Sequence, residues 1–124
     1  MALVLIADDD ASTVELLTAA LAVDGHEVLW AINGQEAIEL TLVRGPDLVF
    51  LSPTLPVFNG YETCATLRGD PEVPPGLPIV FLVAHDLDPV KMEQVGVTAD
   101  FPKRHTHAEL RELLLKHLGE KAVA

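Results

Sequence analysis

The chain has 124 residues, enough for one domain with a real core, and 49% of them are hydrophobic, which excludes a disordered chain. Its formal net charge is -11 at pH 7, and residues 1–102 hold sixteen of the nineteen acids but three of the eight Lys and Arg, so this domain is expected to repel phosphate backbones and not to bind nucleic acid. Charges interrupt each apolar run before the ~20 residues of a membrane span, the N-terminal MALVLIADDD lacks the basic start of a secretory signal, and the single Cys64 cannot form an internal disulfide, so a cytoplasmic protein is expected.

In chain order, Leu3-Val4-Leu5-Ile6-Ala7 is continuously apolar and predicts a strand covered on both faces. Ser12 and Glu15 have capping-box spacing, so a helix is predicted there with Val14, Leu17 and Leu21 inward, ending at Gly25. Residues 28–32 read as a second strand. Asn33 and Glu36 start a second helix with Ala37, Ile38 and Leu42 inward, stopped by Gly45-Pro46. Leu48 to Leu51 is the third strand, and Tyr61, Cys64 and Leu67 mark a third helix. The segment from Gly69 to Gly76 is too rich in Pro for regular structure and reads as a plain loop. Ile79 to Ala84 is a fourth strand. Asp88-Pro89 begins a fourth helix that ends near Gly96, and Ala99 to Pro102 is a short fifth strand. Thr106 and Glu109 cap a last helix with Leu110, Leu113, Leu114 and Leu118 inward. The last 22 residues carry five basic and three acidic side chains, read as a solvated helix.

Five strand–helix repeats predict an α/β fold, a single domain over residues 1–124. Right-handed crossovers make the sheet parallel, and the flavodoxin-like doubly wound order 2-1-3-4-5 follows for five strands. Function in such a sheet gathers at the carboxyl ends of the central strands. Those ends carry Asp8-Asp9-Asp10, Ser52, Val83-Ala84 and Lys103. Neighbouring strands lie ~4.8 Å apart, so the acids fall beside Ser52 and within reach of a lysine two strands away.

These residues carry a resemblance. Residues 5–10, residues 47–60 with Leu55-Pro56 and Asn59-Gly60, and residues 96–103 together resemble a response-regulator receiver domain of two-component signalling, in order and at family spacing across residues 3–118. In that family an acidic pair and a third aspartate bind magnesium, the third aspartate takes a phosphoryl group, and a Ser or Thr and a lysine hold the phosphate. The resemblance matches Asp8 and Asp9 to the pair and Lys103 to the lysine. It puts Ser52 at the phosphoacceptor position, Val83 at the hydroxyl position, Asp100 where a switching aromatic often stands, and Arg104 where a proline usually follows the lysine. A serine hydroxyl is a poor nucleophile without a base. Ser52 also removes a charged ligand, which leaves a weak or lost magnesium site at Asp8, Asp9 and Thr54 and no other cofactor.

The resemblance therefore implies a pseudo-receiver that is not an enzyme and that works through protein contacts with a histidine kinase, an output domain or another regulator. The family's output surface, also its dimerisation surface, is formed by helix four, strand five and helix five, and it would here include Lys91, Asp100, Arg104 and Arg111.

Plainer readings stand beside these. Asp8 and Asp9 could be helix caps worth ~0.3–1 kcal/mol. Two carboxylates 4 Å apart repel by roughly 4 kcal/mol at an effective dielectric of 20, so a Lys103–Asp ion pair is expected ahead of a bound cation. Ser52 reads as a strand-end residue bonded to nearby backbone, Cys64 as a core residue, and His105, His107 and His117 as surface positions on the last helix. Two rival functions remain. A flavodoxin-like ligand-binding or hydrolytic domain is disfavoured by three phosphate-repelling aspartates and by the lack of a Walker A loop or nucleophile elbow. A receiver controlled by a small ligand filling the crevice stays open.

Overall fold

A computed structural model describes residues 1–123. Its five strands, β1 (Leu3–Ala7), β2 (Glu27–Ala31), β3 (Leu48–Leu51), β4 (Ile79–Val83) and β5 (Ala99–Pro102), form one sheet in the order β2-β1-β3-β4-β5. Every pairing is parallel. The helices are α1 (Ala11–Val23), α2 (Gly34–Arg44), α3 (Gly60–Gly69), α4 (Pro89–Val95) and α5 (His107–Leu118), and a 3₁₀ turn follows at Gly119–Ala122.

The apolar runs of β1, β3 and β4 split by their period of two into two cores. Val4, Ile6, Phe50, Val80 and Leu82 face α1 and α5, where they meet Leu17, Leu21, Leu110 and Leu114. Leu5, Ala7, Val49, Leu51 and Phe81 face the other way and meet Ala37, Cys64 and Leu67 of α2 and α3. Full burial of each large side chain contributes about 1.5–3 kcal/mol. This double coverage is why the central strands read as unbroken apolar runs. The edge strand β2 is covered less well, and Trp30 there is 47% exposed.

Several local expectations need correction. The cap of α1 is Asp10, not Ser12. Asp10 is still extended, and its carboxylate accepts from the Ser12 N–H (3.1 Å) and the Thr13 hydroxyl (2.8 Å), while Ser12 is already helical. In α2 the inward position one turn beyond Ala37 is Thr41, whose hydroxyl donates to the Ala37 carbonyl at 2.7 Å, and Leu42 is exposed. β2 starts one residue earlier than predicted and stops at Ala31, and β4 stops at Val83. The 70–76 segment is irregular, as expected, but it is anchored. Val73 is buried in the second core, and the Arg68 guanidinium donates to the carbonyls of Pro75 (3.3 Å) and Gly96 (2.9 Å).

Two backbone positions shape the loop after β3. A Cβ on Gly60 would strike the Ser52 carbonyl oxygen and come within 2.7 Å of the Pro53 Cα, so only glycine lets α3 start this close to the end of β3. Val57 sits at φ 70, in the left-handed region that β-branched residues avoid.

Candidate functional site

The parallel register builds the site. Ala7 of β1 stands opposite Leu51 of β3, so Asp8 and Ser52 leave the sheet side by side. The Ser52 N–H donates to the Ala7 carbonyl (2.8 Å) and the Asp8 N–H to the Ala31 carbonyl (3.1 Å), extending the ladder to both residues. Val83 pairs with Pro102, and the Lys103 N–H donates to the Val83 carbonyl at 2.9 Å. Lys103 thus leaves β5 on the same edge, and its side chain reaches back across the sheet end.

The Lys103 Nζ lies 3.0 Å from Asp8 Oδ2 and 3.9 Å from Asp10 Oδ2. Asp8 is fully buried. Its Oδ1 accepts from the Asp10 N–H (2.9 Å), while Oδ2 has no aligned hydrogen-bond donor and meets the ammonium as a charge contact. The Thr13 hydroxyl, then the Ser12 N–H and the Lys103 charge, hold the Asp10 carboxyl below the usual carboxylate range. Asp9 is exposed at the rim and takes no part in either ion pair. The Trp30 indole N–H donates to the Asp8 carbonyl at 2.8 Å, a link across β1 and β2 that no local sequence pattern announces.

Ser52 is 1% exposed. Its hydroxyl is 3.3 Å from the Thr54 hydroxyl and makes a long 3.4 Å contact with the Thr54 N–H. Among the described residues these contacts of its hydroxyl are to Thr54, not to a histidine. Thr54 is exposed in the loop, and Val83 lines an open groove beside Lys103.

As magnesium donors these residues fit poorly. Magnesium holds its place through carboxylates and retained waters in near-octahedral geometry. Asp8 is already committed to an ammonium 3.0 Å away, and Asp9 is the one remaining carboxylate of the pair. Among the described residues no group of three His, Cys, Asp or Glu is arranged to hold a metal ion.

Other expected site residues divide. Lys91, Asp100 and Arg104 are exposed. Arg111 turns away from α4. Its guanidinium grips Asp24, the residue capping the end of α1, through Nε (3.2 Å) and a terminal nitrogen (2.9 Å), and His107 Nε2 lies 2.8 Å from the same carboxylate. His107 and Arg111 are one turn apart and share the α1 side of α5, so both serve an α1–α5 brace. The Arg111 and His107 contacts hold the Asp24 carboxyl down at about 2. His105 is likewise not a free surface ring. It packs on Phe101 with ring centroids 4.5 Å apart, and its Nδ1 is 2.8 Å from the Pro102 carbonyl. His117 is half-buried, with Nε2 enclosed and no partner. Cys64 lies in the core, where burial pushes its thiol up to about 11.

The sequence pattern of the response regulator receiver domain matches residues 4–115. The chain belongs to this family. It is 34% identical over 117 residues to the phosphate regulon transcriptional regulatory protein PhoB of Pseudomonas aeruginosa, covering 90% of this chain and 51% of that protein. The chain thus spans about half the length of this curated relative. The chemotaxis response regulator CheY4 of Vibrio cholerae superimposes with a TM-score of 0.87 at 26% identity, covering 95% of this chain and 99% of that one. The receiver domain of a sensor histidine kinase from Pseudomonas aeruginosa, whose structure holds magnesium in its active-site cleft, shares the fold at a TM-score of 0.86 and 23% identity, covering 96% and 98%. No helix among the described residues is long and apolar enough to cross a membrane.

Proposed function

We propose that this receiver domain signals without taking a phosphoryl group. The observation that carries the reading is the pairing at the sheet end. The neighbouring Asp8 is paired with Lys103 at 3.0 Å, and the resemblance puts the hydroxyl of Ser52 at the position of the family's acceptor carboxylate. Phosphoryl transfer requires a nucleophile and cations placed on the transferring group. Here the acceptor position holds a buried alcohol, the nearby Asp8 carboxylate and the lysine are tied to each other, and Val83 offers no hydroxyl to a phosphoryl oxygen. Residual magnesium at Asp8, Asp9 and Thr54 is weak for the reasons of donor charge given above.

On this reading the domain is a pseudo-receiver in the cytoplasm. It is no enzyme, and it acts by protein–protein contact with a histidine kinase, an output domain or another regulator. Residues 1–124 act as one unit. Lys91, Asp100 and Arg104 lie on the face formed by α4, β5 and α5, through which it pairs with a partner or a second copy. Arg111 belongs to the brace with Asp24 instead.

The test uses Trp30, the single tryptophan, whose indole bonds the Asp8 carbonyl and so reports on the crevice. Magnesium and then beryllofluoride are titrated into the native protein and into Ser52→Asp while Trp30 emission and amide resonances are followed. The native protein is expected to show no saturable change, and Ser52→Asp to gain magnesium affinity. Saturable beryllofluoride shifts centred on residues 8–10, 52 and 103 of the native protein would sink the reading.

A further inference from the structure

The edge strand β2 carries the single tryptophan of the chain, and Trp30 is 47% exposed. Val28 stands opposite Val4 and Trp30 opposite Ile6 in the parallel register, so both side chains lie on the face that α1 covers. Helix α1 does not close over them. Where it passes β2 it presents Glu15, Thr18, Ala19 and Ala22, a row at helical spacing whose short members leave a groove of about 470 Å³ between helix and strand. That volume falls within the ~300–1,000 Å³ of small-molecule sites.

Glu15 is the one charged residue on the lining. It is exposed and joins none of the ion pairs among the described residues. Its helical neighbours three and four positions away, Ala11, Ser12, Thr18 and Ala19, carry no charge to pair with it. The Trp30 indole N–H is already donated to the Asp8 carbonyl at 2.8 Å, so the ring has no donor left and offers its π-face. An aromatic face and an unpaired carboxylate therefore border one apolar groove, and both attract positive charge.

We propose that the groove between α1 and β2 binds a small organic ammonium ion with an aromatic body. The body lies on Val28, Ala19 and Ala22, and the ammonium sits between the Glu15 carboxylate and the Trp30 ring. The chemistry of the lining selects this occupant. A neutral apolar molecule would cover Glu15 without giving it a partner. An anion is repelled by Glu15 and by a body of formal net charge -11. A bare metal cation would leave the apolar walls in water. A second copy of the chain would bring a second Glu15 and a second acidic body to the same place. Strands β2 and β5 are opposite edges of the sheet, and the groove uses neither Ser52 nor Lys103, so the proposal is independent of the output face and of whether the crevice takes phosphate.

The test follows the amides of ¹⁵N-labelled protein and the Trp30 indole N–H during titration with three probes that share a phenyl ring: 2-phenylethylamine, 2-phenylethanol and phenylacetate. The amine is expected to give saturable shifts at Glu15, Thr18, Ala19, Val28 and Trp30 in the millimolar range. The alcohol should bind about threefold or more weakly, and phenylacetate should not bind. Glu15→Gln should erase the preference for amine over alcohol while leaving alcohol binding in place, which separates the loss of charge from the loss of the groove. Ala19→Phe should fill the groove and abolish binding of both. Glu15 and Ala19 are exposed, so an unchanged spectrum elsewhere verifies the fold of each variant. Five results would each overturn the proposal: no saturable shift at millimolar amine, phenylacetate binding as well as the amine, an amine preference that survives Glu15→Gln, shifts that map outside the groove, or a dimer in sedimentation without any probe that Ala19→Phe dissociates.

Discussion

The two ends of the sheet each hold an Asp–Lys pair, and the pairs differ in kind. At the carboxyl end Lys103 meets a fully buried Asp8 at 3.0 Å. At the amino end Lys121 meets Asp47 at 2.7 Å, with the Lys121 side chain 62% exposed and Asp47 also accepting from the Leu3 N–H at 2.8 Å. The shorter contact is the less consequential one. Distance sets the Coulomb attraction, but burial sets what happens when one partner is lost. The amino-end pair fastens the chain termini in water. The carboxyl-end pair contains a charge the fold cannot expose.

The largest test of that contrast is Lys103→Met. It leaves Asp8 buried and unpaired and is expected to cost about 3–5 kcal/mol in urea unfolding, most of it recovered in the double variant Asp8→Asn/Lys103→Met. A loss no larger than that of a surface pair would break the comparison. Next in size is Val57→Gly in the carboxyl-end loop. Val57 is 65% exposed, so little packing is lost. Relief of φ 70, less the entropy of glycine, should stabilise by about 1 kcal/mol, seen as a raised Tm. An unchanged or lowered Tm would mean that the loop carries no strain.

At the amino end Lys121→Ala should cost no more than about 1 kcal/mol and less in high salt. Burial works against the Asp47 carboxylate, but Lys121 and the Leu3 N–H hold it below its ordinary 3.8. That contribution is present above the ordinary value and is lost as pH falls below it. A salt-independent loss would show that the amino-end pair is also effectively buried.

The smallest test is also at the amino end. His26 is 6% exposed, and its Nδ1 accepts from the Ala2 N–H at 3.0 Å. Burial, then the nearby N-terminal charge, keep it below the ordinary 6.5. The unfolded chain binds that proton more readily, so stability is full above about pH 6.5 and declines in more acid solution. His26→Gln should flatten the decline between pH 7 and 5, and an unchanged slope would assign it to His117 or elsewhere.

The strand order and nearly all element positions were legible because β1, β3 and β4 are covered on both faces and announce themselves as apolar runs. The helix starts at Asn33, Asp88 and Thr106 were legible because each cap is written in the residue itself. Asp10 was misjudged because three consecutive acids hide which one is still extended. Thr41 was missed because its hydroxyl satisfies itself on the Ala37 carbonyl and so behaves as an apolar side chain. The Asp8–Lys103 contact, and the exit of Ser52 beside Asp8 at the sheet end, followed from strand order. What local pattern did not contain were contacts between distant segments. Trp30 reaches the Asp8 carbonyl across 22 positions, and Arg111 is drawn to Asp24 across 87, away from the face its place on α5 suggested.

The central claim is that the crevice at the ends of β1, β3 and β5 takes no phosphoryl group. The most direct measurement is the intact mass of the native protein after incubation with acetyl phosphate and magnesium, with Ser52→Ala alongside. The account predicts no phosphoryl adduct on either protein. An adduct on the native protein that Ser52→Ala abolishes would contradict it.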